Sequence, residues 1–344
     1  MRNIQILDCT IRDGGNAVQS TSNIQSDTGF TLEGIQSFAD CVCLAGIDIV
    51  EIGMLDSVLE DQVRFGLFSK MDHISNILPK YREEQPLFSV FFRGPNILLD
   101  SIPKWKQGSC DLIRFSLRYS ELDYSLDYSS ELAKKGYKIS LQPTVTSQYK
   151  ENEIKRIIDA ANKMNAYAVY FVDSYGCMTK NQIETLFSFC DERLNPSIKI
   201  GFHPHNNLDS AMANVITFLD FPSERDIILD SCCLGMGQGA GNLKTEVLCN
   251  YLNKNFSKSY SLEKIFEACE LVDKFWTDNI WGYSLSKMIP AMYGVAYKFG
   301  DVLRKDYGFS FVEIDRIIRN IPENQKSSYS KTCIDMVLKE LEME

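Results

Sequence analysis

Along most of the chain, short apolar runs alternate with longer stretches in which apolar residues recur at helical spacing. The runs are Ile4–Cys9, Ile47–Ile52, Leu87–Phe92, Leu112–Leu117, Lys138–Gln142, Ala168–Val172, Ile198–Phe202 and Ile227–Cys232. Each is apolar or β-branched nearly throughout, without the alternating polarity of a half-exposed strand, and this predicts strands buried on both faces. Between them the pattern predicts helices over Leu32–Leu44, Glu121–Lys135, Glu151–Asn165, Gln182–Leu194 and Ser210–Leu219, with Thr31 and Thr179 standing where N-caps belong. Strands that alternate with helices pair in parallel through helical crossovers. Eight of them predict a closed (β/α)8 barrel, an α/β TIM barrel. The stretch Val58–Pro79 breaks the rhythm and predicts an extra loop and helix. Beyond about residue 255 the strand signal ends, and Leu262–Phe299 and Phe311–Leu341 predict helices. The expected organisation is a catalytic barrel over 1–255 and a helical extension over 256–344 packed on it.

Composition changes this picture little. Of 344 residues, 44% are hydrophobic and 24% charged, so the chain can bury a core of barrel size. The net charge of −10, without a basic cluster, disfavours nucleic acid and anionic membrane as partners. It leaves room for a local basic pocket that takes an anionic small molecule. No apolar stretch reaches the roughly 18 residues of a membrane span, and Met1–Asp8 lacks the core of a signal peptide. The eleven cysteines are scattered, and neither Cys41/Cys43 nor Cys232/Cys233 has zinc-knuckle or redox-pair spacing. Reduced thiols in a cytoplasmic protein are expected.

Barrel enzymes place reacting groups at the C-terminal ends of strands. After the first strand comes Asp8-Cys9-Thr10-Ile11-Arg12-Asp13-Gly14-Gly15-Asn16. By itself this reads as a polar turn closed by two glycines. At a barrel mouth it also offers a carboxylate for a cation and a guanidinium for an anion. After the seventh strand, Gly201-Phe202-His203-Pro204-His205-Asn206-Asn207 places two imidazoles two residues apart, on one face of an extended chain. They are two of the three histidines, and the third, His73, has no assigned role. With Asp13 they predict a divalent-metal site; Mn²⁺ or Mg²⁺ suits it best, and Co²⁺ or Zn²⁺ also fits. Open positions on such an ion would serve Lewis-acid chemistry.

The eighth strand leads into Leu234-Gly235-Met236-Gly237-Gln238-Gly239-Ala240-Gly241-Asn242-Leu243-Lys244-Thr245-Glu246. Gly235, Gly237 and Ala240 satisfy a dinucleotide-binding pattern, but no second strand ending in an acid follows. A loop closing the mouth fits better, with Asn242 either a ligand of the ion or a hydrogen-bonding neighbour of its shell. A plain helix entry built from small residues is the alternative. Thr144, Asp173 and Asn16 occupy mouth positions suited to substrate binding. Arg93 and Arg118 would bind a carboxylate or pair structurally, and Glu51 reads as a buried barrel acid. Tyr283 is either a packed aromatic or a catalytic hydroxyl.

Together these motifs resemble the hydroxymethylglutaryl-CoA lyase-like family, the DRE-TIM metallolyases. Asp8-x-Thr10-x-Arg12-Asp13-Gly14-Gly15, His203-x-His205-Asn206-Asn207 and Gly235–Asn242 occur in the family's order and span nearly the whole barrel. Within the family the total length and the Gly-Ala-Gly-Asn loop are most similar to the 4-hydroxy-2-oxovalerate aldolases and aldolase-like relatives. The resemblance implies metal ligation by Asp13, His203 and His205, with Asn242 as a further ligand or near neighbour. It implies that Arg12 stabilises an enolate oxygen, and that the reaction makes or breaks a carbon–carbon bond in a 4-hydroxy-2-oxo acid through a pyruvate-like enolate. It also suggests an aldehyde-consuming dehydrogenase as partner, and the appended helices suit a homodimer interface or a lid. One departure matters: those aldolases carry a catalytic histidine three residues after the metal aspartate, and this chain has Asn16. An amide cannot accept a proton at neutral pH, so proton transfer moves to Tyr283 or to water at the metal, or the reaction differs. A Claisen-type condensation with an acyl-CoA and a non-catalytic metal- or nucleotide-binding barrel are the alternatives.

Overall fold

The computed structural model describes residues 2–20, 29–78, 86–275 and 281–342. Its strands are β1 (Ile4–Asp8), β2 (Ile49–Leu55), β3 (Leu67–Phe68), β4 (Leu87–Phe92), β5 (Leu112–Leu117), β6 (Lys138–Pro143), β7 (Ala168–Asp173), β8 (Lys199–Pro204) and β9 (Ile227–Ser231). They form one parallel sheet in the order β1-β9-β8-β7-β6-β5-β4-β2-β3, and pairing of β1 with β2 closes it. Eight strands make the barrel, and β3 is a two-residue addition on the edge of β2. The fold is the TIM barrel that the strand count predicts. Burial on both faces explains the patterning: every residue of β1, β2, β5, β7 and β9 is buried.

The helices are α1 (Thr10–Ser20), α2 (Leu32–Leu44), α3 (Met71–Ile77), α4 (Leu122–Lys134), α5 (Glu151–Met164), α6 (Lys180–Asp191), α7 (Ala211–Asp220), α8 (Thr245–Asn255), α9 (Leu262–Asp273), α10 (Leu285–Met292), α11 (Lys298–Lys305), α12 (Phe311–Arg319) and α13 (Lys331–Glu340). Thr31 and Thr179 cap α2 and α6 as expected, each accepting a backbone N–H of the first turn. The Val58–Pro79 stretch supplies β3 and α3, with Pro79 outside the described residues.

The main departure is α1. The first motif is not a turn closed by glycines but the opening of a helix, begun where Asp8 Oδ1 accepts the Thr10 N–H at 3.0 Å. Gly14 and Gly15 disfavour a helix by propensity. They are there for close approach, since a Cβ on Gly15 would lie 1.9 Å from the Phe65 carbonyl oxygen. Packing against that neighbouring backbone outweighs propensity. Arg12 and Asp13 consequently stand on the first turn, over the barrel mouth.

The boundary expected at residue 255 falls inside the barrel's own core. Ile265, Ala268, Val272 and Phe275, on and just after α9, and Trp281 belong to the barrel's apolar cluster. A second cluster gathers α10 to α13 around Phe299, Ile314, Ile317 and Ile334. The helical extension with its own core therefore begins at α10. Among the described residues no helix is long and apolar enough to cross a membrane.

Candidate metal centre

The barrel floor beneath the mouth holds a closed network of charges. Glu51, in the middle of β2, accepts from Arg12 Nε at 2.8 Å and from Arg114 Nη1 at 2.8 Å. Arg114 also pairs with Asp230 of β9. Glu51 and Arg114 are 0% exposed, so neither charge has water as an alternative partner. Asp230 Oδ2 in turn accepts from His203 Nδ1 at 2.9 Å. That bond fixes the imidazole and leaves Nε2 as the outward ring nitrogen, the usual arrangement behind a metal-ligating histidine.

At that nitrogen three candidate ligands converge, one carboxylate and two imidazoles. Asp13 Oδ2 lies 3.6 Å from His203 Nε2 and 3.8 Å from His205 Nε2. These are separations that two ligands of one ion with bonds of about 2.1 Å can adopt with little adjustment. Burial favours a neutral Asp13, but Arg12, His203 and His205 hold its carboxyl well below the usual range. Burial opposes charge on His203, yet Asp13 and Asp230, together with Cys9, raise it well above the ordinary imidazole value. The site thus draws positive charge to the point where a cation would sit. Burial pushes His205 down to about 4, which keeps it in the neutral form that ligates metals. Cys9, His203 and Asp230 form a second group with ligand atoms close together. There the His203 nitrogen that faces Asp230 is Nδ1, held in that hydrogen bond, whereas in the first group Nε2 of both histidines faces Asp13.

The glycine-rich loop closes over this centre. Asn242 Nδ2 donates to Asp13 Oδ2 at 2.6 Å and to the Met236 carbonyl at 3.1 Å. The carbonyl acceptor fixes which end of the amide faces Asp13. Asn242 is thus a hydrogen-bonding neighbour of the aspartate, and its buried Oδ1, the atom a ligand role would use, has no partner. A Cβ on Gly237 would lie 2.2 Å from Asn242 Nδ2, so the loop's small residues serve this approach. No dinucleotide unit follows: after β9 the described residues are helical.

Above the floor opens a cavity of about 300 Å³, in the size range of a small-molecule site. Arg12, Asp13, His203 and His205 form its base. Asn16 and Thr144 line it, the Thr144 hydroxyl 2.9 Å from that of Ser116. Arg93 and Arg118 also line it, with side chains 40% and 50% exposed. Two expectations are corrected. Asp173 does not face the cavity; its carboxylate turns back to accept the backbone N–H groups of Cys177 at 2.8 Å and Met178 at 3.1 Å. It closes its own loop, and burial pushes it up to about 6. Tyr283 is 60% exposed and absent from the cavity wall.

The tyrosine that does reach the cavity is Tyr297, just before α11. Its ring packs on Gly239, and its hydroxyl lies 3.4 Å from Ser20 Oγ. Burial raises its pKa, so the hydroxyl keeps its proton. Nothing in the sequence distinguishes it among sixteen tyrosines. Arg114 and Asp230 have no part in the sequence reading, although each is a charge inside a mostly apolar, buried strand, the signal that exposes Glu51.

Residues 119–272 match the HMGL-like family model. The chain is 26% identical over 317 residues to a 4-hydroxy-2-oxovalerate aldolase of Pelotomaculum thermopropionicum, covering 86% of this chain and 87% of that one. It is 26% identical over 272 residues to the enzyme of the same name from a Marinomonas species, covering 76% and 75%. In fold it is similar to the N-terminal domain of a candidate aldolase from Bacteroides vulgatus, with a TM-score of 0.70 at 23% identity over 91% of this chain and 99% of that one. It is also similar to the hydroxymethylglutaryl-CoA lyase of Pseudomonas aeruginosa, with a TM-score of 0.62 at 14% identity over 80% and 94%.

Proposed function

We propose that this HMGL-like barrel, a metal-dependent carbon–carbon lyase, acts on a 4-hydroxy-2-oxo acid through a pyruvate-like enolate. The observation that carries this reading is the convergence of Asp13 Oδ2 and the two histidine Nε2 atoms beside a guanidinium clamped by Glu51 and Asp13. The names of the aldolase relatives support the substrate class.

Asp13, His203 and His205 would hold a divalent ion, Mn²⁺ or Mg²⁺ best suiting two imidazoles and one carboxylate. When bound, that ion would act as a Lewis acid toward the 2-oxo acid end of the substrate. Arg12 spends Nε on Glu51 and Nη1 on Asp13, and its remaining N–H groups line the cavity. They donate to the oxygen on which the enolate's charge develops, already oriented before that charge forms. Tyr297 rests protonated and so can give its proton to the substrate's 4-oxygen in the condensation direction; in cleavage the 4-hydroxyl's proton passes to water in the cavity. Asn16 orients that oxygen but cannot exchange a proton with it. Met54, Phe91 and Val172 supply the apolar wall that limits water near the enolate.

Metal analysis tests the reading, together with exchange of pyruvate's methyl protons for deuterium. Wild type should take up about one ion per chain and exchange those protons in a metal-dependent way; the His203→Ala/His205→Ala double variant should lose both. Screening 4-hydroxy-2-oxo acids for pyruvate release then identifies the substrate. A protein that takes up no metal under any condition, or that leaves pyruvate unexchanged, would overturn the aldolase reading.

A further inference from the structure

We propose that the outer half of the mouth is an anion site, in which Arg93 and Arg118 bind a carboxylate or phosphate carried by the aldehyde-derived half of the substrate. The inference rests on the reading of the inner site as a 2-oxo acid lyase.

Charge makes the case. The cavity wall carries three arginines and, among the described residues, a single carboxylate, Asp13, in a protein whose net charge is −10. The deep charges close among themselves. Arg12 and Arg114 face Glu51, Asp13 and Asp230, so a divalent ion and one substrate carboxylate bring that group to neutrality. A substrate with one anionic group is thereby fully matched at the floor, and it leaves Arg93 and Arg118 without a task.

Their present partners hold them loosely. Arg93 Nη1 reaches Asp56 Oδ2 at 3.3 Å, but Asp56 is already served by Asn96 and by the Ser57 N–H at 2.7 Å. Arg118 Nη1 lies 3.6 Å from Glu121 Oε1, beyond hydrogen-bond distance. With side chains 40% and 50% exposed, pairs this long contribute little and are exchanged readily. The two arginines follow adjacent strands, β4 and β5, paired up to Phe92 and Phe115, with β5 running two residues further to Leu117. Both side chains therefore serve one side of the mouth, where the hydroxyls of Ser116 and Thr144 add further donors. Two planar guanidiniums with nearby hydroxyls are the chemistry that recognises carboxylate and phosphate alike.

The test offers pyruvate with three acceptors: propanal, succinic semialdehyde and glyceraldehyde 3-phosphate. Wild type should favour at least one anionic acceptor over propanal in kcat/KM by ~10–100-fold, the scale of charge-assisted hydrogen bonds to an anion. Preference for the semialdehyde marks a carboxylate site, and preference for the phosphate ester a phosphate site. In Arg93→Gln/Arg118→Gln the anionic-over-neutral ratio should fall by a similar factor, and Arg93→Lys/Arg118→Lys should restore part of it. Saturation-transfer NMR of the preferred acceptor on metal-free protein should weaken in the glutamine variant, a readout independent of turnover. Equal use of all three aldehydes, or a preference that survives the glutamine substitutions, overturns the anion site. Pyruvate whose methyl protons do not exchange in wild type overturns the lyase reading instead, so the two failures are distinguishable.

Discussion

Two pairs of arginines divide the mouth into regions that obey different rules. At the floor, Arg12 and Arg114 are buried, and three carboxylates are fixed around them by contacts of 2.7 and 2.8 Å and by the Arg114–Asp230 pair. At the rim, Arg93 and Arg118 are about half exposed, with partners at 3.3 and 3.6 Å. A charge without water must be matched wherever it sits, so the floor is rigid and its geometry is set before substrate arrives. A charge that keeps its water can change partner at little cost. The floor can therefore dictate a reaction, and the rim can select among substrates.

The sharpest way to break that contrast is to remove the carboxylate that joins the floor. Glu51→Ala leaves Arg12 without its Nε acceptor and Arg114 with one fewer buried counter-charge. Losing one member of a buried ion network costs about 3–5 kcal/mol. Chemical denaturation should show that loss, and turnover should collapse because Arg12 is no longer oriented. A loss under about 1 kcal/mol would mean that the floor relaxes as easily as the rim.

A second way concerns the wall contributed by the extension. Tyr297→Phe removes only a hydroxyl, and kcat should fall by roughly 10²–10⁴-fold, the usual range for a positioned proton donor. Tyr283→Phe, at a 60% exposed position outside the cavity, should stay within about twofold of wild type, in keeping with the small effects usual at exposed sites. Steady-state kinetics on both variants decides between the two tyrosines. Reversed effects would return proton transfer to Tyr283.

These two tyrosines also mark where the sequence stops being informative. The strands were legible because burial on both faces leaves continuous apolar runs; β4 and β5 match their expected bounds, and the other barrel strands shift only at their ends. The convergence of His203 and His205 with Asp13 was legible in part, because the two histidines stand two residues apart at the end of β8, on one face of extended chain. The helix at Thr10–Ser20 was not, since Gly15 answers to Phe65, some fifty positions away, and Gly14 to Met236. Tyr297 was not legible for the same reason: its role depends on how α11 lies over the mouth, which no local pattern encodes. Asp173 had the right position and the wrong direction, and only the backbone N–H groups it accepts reveal that.

The smallest expected effect sharpens the comparison from the other side. If the rim arginines are held only by loose, hydrated pairs, removing both should barely change the stability of the folded protein. Arg93→Ala/Arg118→Ala should shift the unfolding free energy by no more than about 1 kcal/mol, because the Arg118–Glu121 pair is exposed and the Arg93–Asp56 contact is long, at 3.3 Å. Asp56 keeps its bonds from Asn96 and the Ser57 N–H, both to Oδ1, so its carboxylate is not left without donors. Urea denaturation of this variant beside Glu51→Ala gives the contrast directly: ion pairs broken at the rim and at the floor, with a several-fold difference in cost set by depth. A rim loss as large as the floor's would mean that Arg93 and Arg118 brace the ends of β4 and β5, and selectivity would then have to come from the Ser116 and Thr144 hydroxyls between them.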